Sequence, residues 1–344
     1  MRNPWVDYAK GIGIALVVWG HVGRGVAAAG LVGDAALHAR IDSLLYSFHM
    51  PLFFFLSGLF FKESMARRSA LQLVANKFDS VAYPFFVWSL LQGLLAIAGA
   101  QWTNTGSSLG GFFEFLWRPG GQFWFLYALF LIMMASLAIY RRRSLPWLIG
   151  VLIATVILHF IASPLPRFLP LGRVFFNFCF FSAGMVFNEF QPAVLRHKWR
   201  ALPAVALAFA ASEWLLQMRW PANEMLAFVT ASAGIGLVAV GCMCLEAAAD
   251  RLGWLAALGA SSMAIYLAHI LATAGTRVLL LHALHVRDYW THMLVGSVCG
   301  LLLPLLAARL APALRLDWLF GVPAALSLER RLGRGGRVAA VPAR

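Results

Sequence analysis

Residues 7–24 read Asp7-Tyr8-Ala9-Lys10-Gly11-Ile12-Gly13-Ile14-Ala15-Leu16-Val17-Val18-Trp19-Gly20-His21-Val22-Gly23-Arg24. The run is apolar enough for lipid, yet it carries Asp7, Lys10, His21 and Arg24. At ~100° per residue, Asp7, Lys10, Ile14, Val17, His21 and Arg24 fall on one helix face. A charged side chain near a bilayer centre costs at least about 2.5–3.5 kcal/mol, so that face turns to a bundle interior or a wet cavity. Lys10 and His21 are separated by about 16 Å at a helical rise of ~1.5 Å per residue. The stretch therefore predicts a spanning helix with a polar path along one side, a cation at its mouth and an imidazole at depth.

The rest of the chain supplies the housing. Of 344 residues, 61% are hydrophobic and 12% charged, against about one quarter charged in soluble domains. The chain reads as an integral membrane protein. Its formal charge of +14 would suggest nucleic acid in a soluble protein. Here the cations sit between apolar runs, where they report topology, so nucleic acid is set aside as a partner. Cys179, Cys242, Cys244 and Cys299 all lie within apolar runs, which indicates neither a disulfide framework nor a zinc site. His282-x-x-His285, beside Arg287, reads as a solvated loop edge, and no metal is expected.

A span needs about 20 mostly apolar residues. That ruler gives about ten segments: 11–32, 44–61, 81–100, 123–140, 145–162, 172–189, 201–217, 225–245, 255–274 and 291–311. The expectation is an all-α polytopic membrane bundle. With both termini cytoplasmic, 20 of the 28 Lys and Arg residues fall on the inside, as the positive-inside rule requires. Gly11–Trp19 followed by Ala27-Ala28-Ala29 has the outline of a signal peptide. It is read as retained, because Asp7, His21 and Arg24 interrupt that pattern. Residues 1–316 form one membrane domain with no soluble domain. Residues 317–344 form a basic tail rich in Arg, Gly and Ala, expected to lie loosely ordered at the membrane surface.

Several side chains are candidates for chemistry. His21 accepts a proton near neutral pH. In Phe48-His49-Met50-Pro51-Leu52-Phe53-Phe54-Phe55-Leu56-Ser57-Gly58, Pro51 removes a backbone donor near a helix start. His49 is placed at the outer side, where an incoming sugar or lipid head would meet it. Lys62, Arg67, Arg68 and Lys77 form a basic cluster able to hold phosphates, although topology or anionic lipid explains such a cluster as well. Ser262, Tyr266 and His269 recur on one helix face. His269 is read either as a support for His21 or as an interhelical hydrogen bond. Gly121-Gln122-Phe123-Trp124-Phe125-Leu126 reads as an interfacial aromatic entry to a span.

These segments, in this order, resemble the acyltransferase-3 family of integral membrane O-acyltransferases, especially its fucose-4-O-acetylase-like branch. The matching blocks are residues 6–14, Gly20-His21, residues 48–58, Phe123-Trp124-Phe125-Leu126 and residues 262–269. The first two are the specific ones.

The resemblance implies about ten helices in a bacterial cytoplasmic (inner) membrane. It implies an acyl-CoA donor, in most members acetyl-CoA, used as a substrate and not as a resident cofactor. The acceptor implied is a hydroxyl on a cell-envelope carbohydrate or a lipid-linked glycan. The family's first-helix basic residue and essential His map onto Lys10 and His21, with Asp7 beside them. Its pair of arginines before the third helix is incomplete here, with Lys77 and Ser80 the nearest fit.

On this reading Lys10, Lys77, Arg67 and Arg68 meet the CoA phosphates, and His21 is the general base. Ser57, Tyr266 and Arg24 are unranked candidates to stabilise the oxyanion, with His269 in the same cavity. His49, Arg24 and Trp124 are expected on the acceptor side. Assembly of several copies is left open. The competing readings are a transporter or flippase of a lipid-linked sugar or small solute with His21 as proton relay, and a non-catalytic component of an envelope-polymer complex.

Overall fold

The segments expected to be apolar spans are helical in a computed structural model that describes residues 3–98, 121–142, 144–162 and 170–335. Arg2, Arg143, Arg337 and Arg344, and most of the connector 101–122, lie outside the described residues. The helices are α1 (Pro4–Ala28), α2 (Ala35–Leu59), α3 (Phe61–Arg67), α4 (Ala70–Lys77), α5 (Tyr83–Ala98), α6 (Trp124–Ile139), α7 (Leu145–Ile161), α8 (Pro170–Met218), α9 (Glu224–Leu245), α10 (Gly253–Ala260), α11 (Ser262–Val278), α12 (Tyr289–Leu310) and α13 (Leu328–Gly335). No strand occurs among the described residues. Among the described residues, seven helical stretches are long and apolar enough to cross a membrane, so the protein is an all-α polytopic membrane bundle.

Three boundaries differ from the apolar ruler, which finds where apolar side chains stop and not where the backbone stops being helical; one is the segment 255–274, divided between α10 and α11 at Ser261. The segments 172–189 and 201–217 belong to one 49-residue helix, α8, which includes Pro192 and Pro203. Residues 193–202 between those prolines are mostly good helix formers, and the prolines mark where such a helix bends. The third boundary is the start of α2 at Ala35, well before residue 44. His49 and Pro51 therefore sit inside α2 and not at its entry. Pro51 has no N–H to offer the carbonyl of Ser47, which weakens the helix ladder two residues from His49.

The chain divides into two units. The first comprises Met1–Ser57 and Phe187–Leu310, the second Gly58–Val186 and Ala311–Arg344.

In the first unit α1 is the central element, in contact with α9, α10, α11 and α12. Pro4 begins it, suited to a first turn whose N–H groups have no helical partner. It ends in a Schellman motif: Gly30, at φ +69°, donates its N–H to the Ala27 carbonyl at 3.0 Å, and Leu31 donates to the Val26 carbonyl at 3.2 Å. Trp5, Ile14, Val17 and Val18 are almost fully buried. Lipid is as apolar as these side chains, so close packing and interhelical polar contacts hold the helices together here. α2 begins at a cap in which the Leu37 N–H donates to Asp34 Oδ1 at 2.9 Å. Asp288 serves α12 in the same way, accepting from the N–H of Thr291 at 2.7 Å and from its hydroxyl at 2.8 Å. These bonds hold the Asp288 carboxyl below its ordinary pKa.

In the second unit α4 starts with a reciprocal capping box between Ser69 and Gln72 and runs into a π-helical turn, Phe78–Ala82. That turn presents the buried Asp79 to the C-terminal segment. Its carboxylate accepts from the Ser327 hydroxyl at 2.7 Å and from the N–H groups of Leu328 and Glu329 at 3.2 and 3.1 Å. Farther along, Tyr83 donates to the Trp318 carbonyl at 2.9 Å and the Trp88 indole donates to the Leu319 carbonyl at 2.6 Å. Within residues 317–335 of the basic tail, Trp318, Leu319 and the start of α13 are thus tied to α5 and to the π-helical turn before it. The remaining 336–344 lie outside the described residues.

Candidate functional site

In the first unit, two glycines let α2 approach α1 closely. A Cβ on Gly20 would lie 3.0 Å from the Tyr46 ring, and one on Gly23 would lie 3.2 Å from the His38 ring. Tyr46 is thereby seated beside His21, with ring centroids 6.4 Å apart and nearly perpendicular planes. One turn on, His49 lies against Tyr46 with ring centroids 4.5 Å apart. α11 brings His269 to 5.0 Å from His21 and Tyr266 to 6.0 Å from His269. Imidazoles from three helices thus cluster together, His21 and His49 beside the Tyr46 phenol and His269 beside His21, with His49 and His269 at 1% and 0% exposure.

The geometry fixes two of the three tautomers. His269 Nδ1 lies 2.7 Å from the Tyr266 carbonyl and 3.1 Å from the Ile265 carbonyl. His49 Nδ1 lies 2.5 Å from the Leu45 carbonyl. A carbonyl only accepts, so Nδ1 carries the proton in each ring and Nε2 carries the lone pair. Both Nε2 atoms and the Tyr46 hydroxyl are buried without a hydrogen-bond partner among the described residues. Unpaired buried polar atoms are costly and rare in finished cores. Three of them around His21 describe a place built to receive a polar group.

Arg24 closes one side of the cluster. Its Nε and Nη2 both reach the Asp42 carboxylate at 2.9 Å, a bidentate fork that fixes the guanidinium plane. The same guanidinium lies 3.2 Å from the Tyr46 ring centroid, in cation–π contact.

The structure thus brings together His21, His49, His269 and Arg24, with Tyr266 behind His269. Sequence reasoning missed Tyr46 and Asp42. The signal was present, since His38, Asp42, Tyr46 and His49 recur at helical spacing along α2. The remaining candidates lie elsewhere. Asp7 and Lys10 sit about 21 and 16 Å from His21 along α1, with Asp7 buried where Gly259 of α10 approaches its carbonyl. Ser57 donates to the carbonyl of Phe53 in its own helix at 2.7 Å, eight residues beyond His49.

Arg67, Arg68, Lys77 and Trp124 belong to the second unit. Arg67 pairs with Glu63 and Arg68 with Glu329, each at 3.4 Å and exposed. Such pairs are weak and yield readily to another anion. Arg68 also lines a cleft of about 130 Å³ with Met65, Leu73, Tyr140 and Arg141. Trp124 lies under the Arg173 guanidinium at 5.0 Å. No group of three or more potential metal ligands occurs among the described residues.

Comparison with known proteins follows the same lines. Nodulation protein NolL of Mesorhizobium japonicum is 28% identical over 215 residues, covering 60% of this chain and 54% of that protein. Nodulation protein NolL of Sinorhizobium fredii is 27% identical over 203 residues, covering 57% and 53%. The chain spans about half the length of the curated relatives it matches. No solved structure matches it. A family model described as an acyltransferase domain matches residues 3–309, taking in α1 to α12 and every member of the histidine cluster. With that match running over most of its length, the chain belongs to the acyltransferase-3 family.

Proposed function

We propose that the protein is an O-acyltransferase that moves an acyl group, in the first instance acetyl, from acyl-CoA to a hydroxyl of a cell-envelope carbohydrate or lipid-linked glycan. The observation that carries this reading is the cluster in which His21 lies beside both Tyr46 and His269, with His49 on Tyr46, and with two Nε2 atoms and a phenol hydroxyl left for an incoming group. Such a cluster serves proton transfer at a hydroxyl, and the family supplies the class of reaction.

In the proposed step, the acceptor hydroxyl oxygen attacks the thioester carbonyl while His21 removes its proton. A C–O bond forms and the C–S bond breaks, and His21 returns the proton to the departing thiolate. General-base help of this kind is worth about 10²–10⁴ in rate. His269 is a positioning residue. Its Nε2 accepts a hydrogen bond from the imidazolium formed on His21 and stabilises it. The Tyr46 hydroxyl, held by Arg24 stacked on its ring, donates to the oxyanion that develops on the carbonyl, in preference to Ser57, whose hydroxyl is engaged.

In the first unit Lys10 is the candidate for the CoA phosphates; in the second, Lys77, Arg67 and Arg68, with Arg141 from the cleft it shares with Arg68, form a separate candidate anion site. The same reading places both termini and the tail in the cytoplasm, the chain in the bacterial inner membrane, and the protein near the fucose-4-O-acetylase-like branch of its family.

The test is release of free CoA thiol from acetyl-CoA by purified protein, wild type beside His21→Ala, with and without an envelope glycan fraction. Acceptor-dependent release that disappears with His21 supports the reading. Silence across a panel of acyl donors, from protein shown to be folded, moves the assignment to transport, in which the same polar face lines a conduction path.

A further inference from the structure

At the end of α1 away from Lys10, the chain forms a cleft of about 120 Å³, lined by Val32, Asp34, Leu37, His38, Tyr289 and Trp290 with Gly33 at its edge. That is space for several water molecules. We infer that this cleft is a neutral-sugar subsite of the acceptor, holding a ring farther along the glycan than the one acylated, so that the substrate is an oligosaccharide or longer glycan and not a lone sugar. The inference rests on the transferase reading for its acceptor, but the cleft itself stands on three observations.

The first is the lining. Tyr289 and Trp290 present rings 5.1 Å apart at 80°, and the Tyr289 hydroxyl is 3.3 Å from His38 Nδ1. Trp290 is 49% exposed. Aromatic faces receive the C–H face of a pyranose while hydroxyl, imidazole and carboxylate groups meet its hydroxyls. Asp34 is already fixed by its Oδ1, which caps α2, so its second oxygen is presented without the entropic cost of ordering a free side chain.

The second is charge. No Lys or Arg lines the cleft, and the Asp34 carboxylate opposes an anion. A phosphate or an acidic headgroup is thus disfavoured, while a neutral polyol is accommodated.

The third is continuity with the catalytic cluster. His38, Asp42, Tyr46 and His49 form one stripe on α2, leading from the cleft to the buried imidazoles over about 16 Å. Along it lie the Arg24–Asp42 fork and the unpaired Tyr46 hydroxyl. From His38 to Tyr46, the proposed oxyanion donor beside His21, the rise is about 12 Å, which exceeds one sugar ring and sets the requirement for an extended acceptor.

The experiment is saturation-transfer NMR on the full chain in nanodiscs. The ligands are glucose, galactose, mannose, rhamnose and N-acetylglucosamine, each as monosaccharide and as di- to tetrasaccharide. At least one oligosaccharide is expected to bind wild type and His21→Ala equally, at least tenfold more tightly than its monosaccharide. Trp290→Ala weakens it tenfold or more, Trp290→Tyr restores it, and Tyr289→Phe weakens it severalfold. Binding by no member of the panel, binding unchanged in Trp290→Ala, or monosaccharides binding as well as oligomers would each overturn the inference. Oligosaccharide binding lost in Trp290→Ala but without acyl transfer by wild type would sink the transferase reading and leave this site standing.

Discussion

His159 and His269 are both buried, 1% and 0% exposed, yet they use the same ring differently. In the second unit, His159 of α7 donates from Nδ1 to the Phe176 carbonyl of α8 at 2.7 Å. Its ring stacks on Phe176 at 4.2 Å, with Phe160 and Phe180 around it. That imidazole joins two helices. His269 and His49, in the first unit, donate from Nδ1 to carbonyls of their own helices. Such a bond sets the orientation and tautomer of a ring without tying one helix to another. An imidazole bonded across helices and set among phenylalanine rings is explained by packing, whereas His269 and His49 have polar rings as neighbours, His21 at 5.0 Å and Tyr46 at 4.5 Å. The polar neighbours, and not the mere presence of a second nitrogen, make that region a site.

The comparison predicts that substitutions divide into effects on activity and effects on stability. The largest effect is expected for His21→Ala, a loss of about 10²–10⁴ in acyl transfer with normal membrane insertion. A variant that is well folded and transfers at the parental rate would break the scheme at its centre.

Next comes Tyr46→Phe, which removes only the hydroxyl and should cost about 10²–10³ in kcat, the usual cost of losing an oxyanion donor. A change confined to acceptor KM would instead make Tyr46 a binding group. For His269→Ala, kcat should fall about 10–100-fold, since a hydrogen bond to a charged partner is worth ~1.5–3 kcal/mol. Its pH–rate profile should also shift, because the His21 imidazolium loses its acceptor. A loss of melting temperature with unchanged kcat would place it with His159.

Lys10→Ala should raise the apparent KM for acyl-CoA about tenfold with little effect on kcat, in keeping with one lost charge-assisted contact. A change only in acceptor use contradicts its role. The smallest effect on activity belongs to His159→Ala, which should lose ~1–3 kcal/mol of stability, read as a lower melting temperature, while the folded fraction keeps its parental turnover.

Much of this architecture is legible in the residues. A helix that carries Lys10, His21 and Arg24 on one face cannot expose that face to lipid, and hydropathy finds the spans. The partners of His21 are harder to read. His269 lies on a recognisable polar face of α11, but which nitrogen it offers depends on a bond one turn away. Tyr46 sits within the expected span 44–61 but upstream of Leu52–Leu56, whose aromatic and apolar side chains dominate the pattern, and only the early start of α2 at Ala35 puts Asp42 in line with it and with His49. The continuity of α8 through Arg196–Arg200 is likewise hidden, because a polar stretch of good helix formers looks to a hydropathy ruler like a loop. The Lys77–Ser80 region shows the opposite case. Its basic residue is plain in the sequence, but the role of Asp79 depends on a segment nearly 250 residues away.

That last contact has a practical consequence. The Asp79 carboxylate is 8% exposed, and the hydroxyl of Ser327 and two N–H groups at the start of α13 are its hydrogen-bond donors. A reporter or affinity tag fused after residue 316, where composition suggests a dispensable tail, would remove all three donors and leave an acid in a site made to be capped. Fusions meant to report topology or to purify the protein therefore belong beyond residue 335, and poor yield from shorter versions would reflect a missing cap and not a missing span.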